Sequence, residues 1–265
     1  MYDFAYHKPS SIADAVKLLS ADPDARPISG GMTLLPALKL RLNKPTAVVD
    51  LSGIAELRGV KREGGKLVIG ALTKHYEVSS SPIVKAAIPV LAEMASTIGD
   101  TQVRNRGTIG GSIANNDPSA DYPTAVLALG GTVRTDRRSI AADDFFQGMF
   151  ATALEPDEIV TAVELPVPEK AGYAKMRNPA SRYAMTGVFV AKGPAGVRVA
   201  VNGAGANGVF RQAEMEKALS ASWSPDAVAA IKVSADGLNG DIHGSAEYRA
   251  HLITVMARRA VAQAG

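Results

Sequence analysis

The stretch RNRGTIGGSIANNDPSADYP, residues 104–123, carries two adjacent glycines, three small hydroxyl residues and an Asp followed two positions later by Pro. It fits neither G-x-G-x-x-G nor G-x-x-x-x-G-K-[ST], so it is neither of the two common phosphate turns. Read as a loop, it offers the hydroxyls of Thr108 and Ser112 and the bare backbone of Gly110 and Gly111. An anionic ligand lying against main chain needs such a surface, because glycine has no Cβ to hold it away. A second stretch of the same chemistry lies upstream. ISGGMTLLP, residues 28–36, places Gly30 and Gly31 between the end of a strand and the start of a helix, flanked by Ser29 and Thr33. Either stretch alone also fits a simple turn; converging, the two could hold both phosphates of a dinucleotide without a lysine. Asp121 has two readings, an acceptor for a ribose or other hydroxyl, or the N-cap of a helix that Pro123 helps to start. Asn115 and Asn116 fit turn positions.

Outward from these stretches, SSIADAVKLLS has helical spacing behind a Ser cap, with Ile12, Ala15, Val16 and Leu19 on one face. ARPIS reads as a strand, LLPALKLRL as a helix and TAVVDLS as a strand, a crossover that makes the two strands parallel. GKLVIGALT is strand-like. PIVKAAIPVLAEMASTIG reads as one long helix, with Ile83, Val84, Ala87, Ile88, Leu91 and Met94 on a single face and Gly99 as its stop. DYPTAVLALGG reads as a helix, and GTVRT and EIVTAVELPVP as strands. VPEKAG, 167–172, has linker composition. Beyond it come three strands, YAKMRN, MTGVFVAKG and GVRVAVNGA, the last two joined by a hairpin at KGPAG. Three helices follow: RQAEMEKALSA, SPDAVAAIKVSA with Ser224 as cap and Pro225 at its first position, and SAEYRAHLITVMARRAVAQA.

Composition narrows the chemistry. The 265 residues are 46% hydrophobic and 21% charged, with a net charge of +3, which suits a chain with a sizeable core. The absence of cysteine excludes disulfides, thiolate zinc and any iron–sulfur cluster held by this chain. Basic residues are scattered and only six Phe and one Trp are present, so no nucleic-acid stripe forms. MYDFAYHKPSS lacks the charged and apolar regions of a signal peptide, and no apolar run reaches the ~18–20 residues of a membrane span. The expected location is the cytoplasm. His7, His75, His243 and His251 share no metal-ligand spacing and read as surface or packing residues. No Ser/His/Asp set or carboxylate pair marks a catalytic residue in this chain.

SGGMTLLP followed about seventy residues later by RNRGTIGGSIANNDPSADYP resembles the two FAD-binding signatures of the flavoprotein (medium) subunit of molybdenum hydroxylases. This is the family of aerobic carbon monoxide dehydrogenase and xanthine dehydrogenase. FAYHKPSSIADAVKLL, VIGALT, EIVTAVELP and GSAEYRAHLITVMARRA are also similar to family segments. The resemblance implies an α+β chain, in which α/β subdomains 1–52 and 53–166 clasp FAD. A C-terminal domain, 170–265, would carry a three-stranded antiparallel sheet and helices. Within the first signature it implies FAD contacts from Ser29, Gly30, Gly31, Met32, Thr33 and Leu34. Within the second it implies contacts from Thr108, Ile109, Gly110, Gly111, Ser112 and Asn116. The four glycines would approach the diphosphate, with Ser29, Thr33, Thr108 and Ser112 as donors.

Asp121 matches a position that contacts FAD, and Lys175 matches a lysine near the flavin ring. Tyr183 matches a tyrosine on the isoalloxazine, although it follows Ser181 and Arg182 where relatives commonly have Gly-Asp; its other reading is a strand aromatic at a domain interface. The implied role is electron transfer. Electrons from a large molybdenum-cofactor subunit would pass through [2Fe-2S] clusters on a small subunit to this FAD and then to an external acceptor, in a dimer of heterotrimers. A self-sufficient FAD oxidase or reductase and a non-catalytic phosphate-binding or assembly module are the competing readings.

Overall fold

The computed structural model describes residues 1–265. Its N-terminal unit contains β1 (Ala5–His7), α1 (Ile12–Ala21), β2 (Arg26–Ile28), α2 (Leu34–Lys39) and β3 (Ala47–Asp50). The crossover expected from the sequence is present. β3 lies between β1 and β2 and pairs parallel to both, with Pro27 opposite Val49. Ser11 caps α1 by accepting the Asp14 N–H at 3.1 Å. Ala15, Leu19, Val49, Ile54 and Leu57 form this unit's core, which also takes in Leu72 and Ile159 from the next unit.

That next unit is built on an antiparallel sheet ordered β4 (Val60–Glu63), β5 (Lys66–Gly70), β10 (Val160–Pro166), β6 (Thr132–Thr135), β7 (Ser139–Ala141). Between β5 and β6 run α3 (His75–Ser80), α4 (Pro82–Ala87), α5 (Pro89–Ser96), α6 (Thr101–Arg104), α7 (Ile109–Asn115) and α8 (Asp121–Ala128). β6 (Thr132–Thr135), β7 (Ser139–Ala141), α9 (Ala142–Phe145), the small hairpin β8 (Phe146–Gly148) and β9 (Ala151–Thr152), and β10 (Val160–Pro166) complete it. Two sequence expectations are corrected here. The single helix over residues 82–99 is two helices. Pro89 has no N–H to give Lys85, and Ile88 sits at φ −142° and ψ 75°. Ile83, expected on the buried face, is 43% exposed, while Val84 and Ala87 of the same helix are buried. The stretch expected as a loop contains α7, because Thr108 caps it: its hydroxyl accepts the Gly111 N–H at 3.1 Å.

In the C-terminal unit, β11 (Lys170–Arg177), β12 (Ala184–Gly193) and β13 (Gly196–Asn202) pair antiparallel as expected, and the two-residue β14 (Phe210–Arg211) extends the sheet to four strands. α10 (Ala213–Ala221), α11 (Pro225–Ala229) and α12 (Ala246–Gln263) follow. α11 begins at the expected Ser224 cap but ends well before residue 235. α12 lies so close on β11 that a Cβ at Gly172 would run into the Ala260 carbonyl, its carbon only 2.8 Å away.

α8 joins the last two units. Every one of its residues is buried, and its Tyr122, Ala125 and Val126 share one core with Val163 of β10 and with Tyr173, Phe189 and Ala200 of the C-terminal sheet. A helix buried on all sides shows no apolar stripe. A polar clamp reinforces the junction. Arg198 of β13 donates to both oxygens of Asp143 at 2.6 Å and to the Leu127 carbonyl at 2.9 Å, and Arg211 adds a 3.2 Å contact to Asp143. Asp143→Ala leaves an arginine side chain that is only 9% exposed without its counter-charge. Asp143 is itself partly solvated, so the expected loss is about 2 kcal/mol. Thermal unfolding beside Lys61→Ala, which breaks only an exposed pair with Glu63, checks this; that control should cost no more than about 0.5 kcal/mol.

A candidate cofactor site where two glycine segments meet

A cavity of about 790 Å³ opens where the three units meet, within the ~300–1,000 Å³ usual for cofactor sites. Its N-terminal wall is the turn from β2 into α2. Gly31 takes φ +73°, and its carbonyl accepts the Leu35 N–H at 3.1 Å to start the helix. The N–H groups of Ser29, Gly30, Gly31, Met32, Thr33 and Leu34 make no hydrogen bond within the chain. All six residues line the cavity. Consecutive free N–H groups on a curved backbone form a nest of partial positive charge suited to an oxyanion.

The second glycine segment works differently from the expectation. Every N–H in the first turn of α7 already has a partner: Ile109 donates to the Thr73 carbonyl at 3.1 Å, Gly110 to Ala71 at 2.9 Å, Gly111 to the Thr108 hydroxyl at 3.1 Å and Ser112 to the Thr108 carbonyl at 3.0 Å. Gly110 and Gly111 therefore do not offer backbone donors; they provide clearance. A Cβ on Gly110 would meet the Ala71 carbonyl oxygen at 2.7 Å, and one on Gly111 would meet the Ser29 hydroxyl at 2.5 Å. Gly30 abuts the other side of the seam, where a Cβ would lie 2.8 Å from the Gly107 Cα. With the side chains gone, the two segments touch, and Thr108 donates its hydroxyl proton to Ser29 at 3.1 Å. Neither Thr33 nor Ser112 uses its hydroxyl within the chain, and both line the cavity with Thr108, Gly110 and Gly111.

The third wall comes from α8 and the C-terminal sheet. Asp121 is the first residue of α8, and Ala120 holds the cap position, so the N-cap reading is corrected. The buried Asp121 carboxylate instead receives the Lys175 ammonium at 2.8 Å and the Tyr173 hydroxyl, while Asn202 donates to the Ala120 carbonyl at 2.9 Å. Burial, and secondarily the Asp121 charge, push the Tyr173 phenol far above its ordinary range. Tyr183 lines the cavity from the turn between β11 and β12 and is 54% exposed, so it is not an interface aromatic sealed between domains.

Three expected contact residues lie outside the cavity lining. Ile109 is core, and the Lys175 side chain, 4% exposed, is turned to Asp121. Asn116 is buried in a left-handed conformation, and its amide donates to the Gly148 and Ala151 carbonyls of the β8–β9 hairpin at 2.7 and 2.8 Å.

Other lining residues carry no sequence signal. Leu154, Glu158, Ile159 and Val160 arrive on the approach to β10, where Glu158 is buried against Arg138. The two arginine hydrogen bonds hold the Glu158 carboxyl at about 2. His75 also lines the cavity; its ring fills the space beside Gly107, and its backbone N–H donates to the Gly107 carbonyl at 3.0 Å. Burial, helped by the Arg104 charge, lowers its pKa to about 4.

Two expectations follow from these environments. Asp121→Ala strands a buried ammonium, so it should cost about 3 kcal/mol in chemical denaturation, well above the ~1 kcal/mol of a lost cap. His75 binds its proton near 6.5 when unfolded and near 4 when folded, so the unfolded state holds the extra proton between those values. Stability must therefore fall as pH drops through that window, by about 1.4 kcal/mol per unit. His75→Gln should reduce the loss of stability between pH 7 and 5 by about 2 kcal/mol relative to wild type, measured by denaturant titration at both values.

Comparison with known proteins shows the family. The profile of the FAD binding domain in molybdopterin dehydrogenase matches residues 2–168. The nicotine 6-hydroxylase medium subunit of Paenarthrobacter nicotinovorans is 38% identical over 98% of this chain and 96% of its own length. The carbon monoxide dehydrogenase medium chain of Afipia carboxidovorans is likewise 38% identical, over 98% of this chain and 96% of its own. The solved structure of reconstituted CO dehydrogenase from Oligotropha carboxidovorans superposes with a TM-score of 0.93 at 35% identity, covering 99% of this chain and 98% of that one. No helix is long and apolar enough to cross a membrane. The chain belongs to the FAD-binding medium subunits of the molybdenum hydroxylases, the family of carbon monoxide dehydrogenase and xanthine dehydrogenase.

Proposed function

We propose that this chain is the electron-transfer subunit of a molybdenum hydroxylase. In this reading it receives electrons from [2Fe-2S] clusters on a small subunit, supplied by a molybdenum-cofactor large subunit, and passes them to an external acceptor. The working assembly is a dimer of heterotrimers. The observation that carries the reading is the run of six unpaired N–H groups at residues 29–34, all on residues that line a cavity sized for a cofactor. The diphosphate of FAD lies on that nest, with the free hydroxyls of Thr33 and Ser112 as further donors. Gly110, Gly111, Thr108 and Ile109 act by shaping the floor. Asp121 accepts from the cofactor while Lys175 holds its charge in place, Asn116 acts by anchoring the neighbouring hairpin, and Tyr183 presents its ring to the flavin. FAD supplies the redox chemistry; the chain supplies position and electrostatics. Residues 1–52 and 53–166 form the two halves of the clasp, and 170–265 closes it.

The purified chain should be yellow, with FAD that acid or heat releases and mass measurement identifies. Release of FMN, or flavin that stays on the denatured chain, contradicts the reading. Gly31→Val should weaken FAD binding at least about tenfold in a fluorescence titration, because a β-branched residue resists φ > 0 and its Cβ would press on Leu35 at 2.9 Å. Turnover of the organic or gaseous substrate by the isolated chain, on the order of 1 per second or faster, would favour a self-sufficient oxidase instead.

A further inference from the structure

The nest at residues 29–34 is uncharged, yet at another edge of the cavity Arg182 lines the wall, and the guanidinium of Arg104, just outside the lining, reaches the same carbonyl. Arg104, at the end of α6, donates to the Ile98 carbonyl at 3.0 Å and to the Gly99 carbonyl at 3.2 Å. Arg182, on the turn between β11 and β12, reaches the same Gly99 carbonyl at 3.4 Å. Gly99 and Arg182 both line the cavity, beside Tyr183. Neither arginine belongs to any ion pair of the chain.

None of the acids nearby pairs with either arginine. Asp100 accepts the Val103 N–H at 2.8 Å, Asp117 accepts the Ser119 N–H at 2.8 Å, and Asp121 holds Lys175. Two cations sharing one neutral carbonyl repel each other, and an anion placed between them is attracted to both.

The turn that carries Arg182 is braced. The Asn178 side-chain oxygen accepts the N–H groups of Ala180 and Ser181 at 2.9 and 3.2 Å. The Asn178 carbonyl accepts the Arg182 N–H at 2.8 Å, and its N–H donates to the Tyr183 carbonyl at 2.8 Å. These bonds hold Arg182 at φ +65°, a conformation that a side chain disfavours and that persists only when the surroundings impose it. Arg182 is thus built to project over the cavity, although its side chain finds no acidic partner there.

We propose that Arg104 and Arg182 form an oxyanion subsite for the phosphate or carboxylate of the small molecule that collects electrons at this cavity. The inference rests on the FAD-subunit reading above. The planar guanidinium fork suits either group, and a pair of forks suits a diphosphate or a dicarboxylate. The subsite stands beside the exposed Tyr183 and draws its arginines from the second and C-terminal units, whereas the cofactor's own diphosphate has the nest of the first unit. An anionic acceptor is thereby oriented at the rim without competing with the cofactor.

The test uses the assembled complex and two artificial acceptors, ferricyanide as an anion and a phenazinium dye as a cation. The ratio of their KM values, ferricyanide over phenazinium, should rise about tenfold or more in Arg182→Asp and several-fold in Arg104→Gln, and return near wild type in Arg182→Lys. Independently of turnover, inorganic pyrophosphate should bind the FAD-loaded chain in calorimetry and bind Arg182→Asp at least about tenfold more weakly. An unchanged ratio, or pyrophosphate binding equal in the variants, overturns the proposal. Loss of FAD from Arg182→Asp also overturns it, because the arginines would then serve the cofactor. A wild-type chain that takes up no FAD at all would defeat the parent reading, and this outcome is distinguished by the flavin content measured before any acceptor is added.

Discussion

The close approach of two backbone segments controls the rest of this structure. Gly30 lies against the main chain of Arg106 and Gly107, Gly111 lies against Ser29, and the Ser29 and Thr108 hydroxyls share a hydrogen bond across the gap. No L-residue with a Cβ could occupy these glycine positions without moving main chain or breaking the hydroxyl pair. The N-terminal unit and the second unit are therefore held against each other at one seam. The six N–H groups of residues 29–34 have no protein partner, and all six residues line the cavity beside this seam. Donors at such a position retain their full capacity for a ligand, whereas the first turn of α7 has already given its own to Ala71, Thr73 and Thr108.

A second rule, that buried ions must be paired, governs the charged groups at the junctions between units. Asp121 with Lys175, Glu158 with Arg138, and Asp143 with Arg198 each bring a carboxylate and a cation together from distant parts of the chain. Each removes a charge that would otherwise be stranded at a junction between units. Two of these pairs, those of Asp121 and Asp143, also tie the second unit to the C-terminal sheet beside α8. They add direction to a contact that hydrophobic burial alone would leave free to slide.

Much of this was legible in the sequence, and the limits have physical causes. The helix caps at Ser11 and Ser224, the parallel crossover and the hairpin at KGPAG follow from local chemistry, and local chemistry survived folding. The helix break at Ile88 was written in Pro89 but was outweighed by the apolar periodicity around it. α7 was hidden because a Gly-Gly pair reads as a turn; only the Thr108 cap distinguishes the two. In the site, the residues on the two glycine segments could be found because their chemistry is local. Leu154, Glu158 and Ile159 could not be, since they reach the cavity through a hairpin return that leaves no periodic trace. Asp121 lies 52 positions from Tyr173 and 54 from Lys175, and their contact exists only once α8 is enclosed.

Because the cavity is bounded by all three units, a molecule filling it becomes part of the packing between them. Its free concentration then enters the folding equilibrium as a mass-action term. A ligand at one hundred times its dissociation constant adds about 2.7 kcal/mol to the bound form, comparable to one of the buried ion pairs described above. In the function proposed above that molecule is FAD, so the heat tolerance of this subunit would rise with the flavin supply.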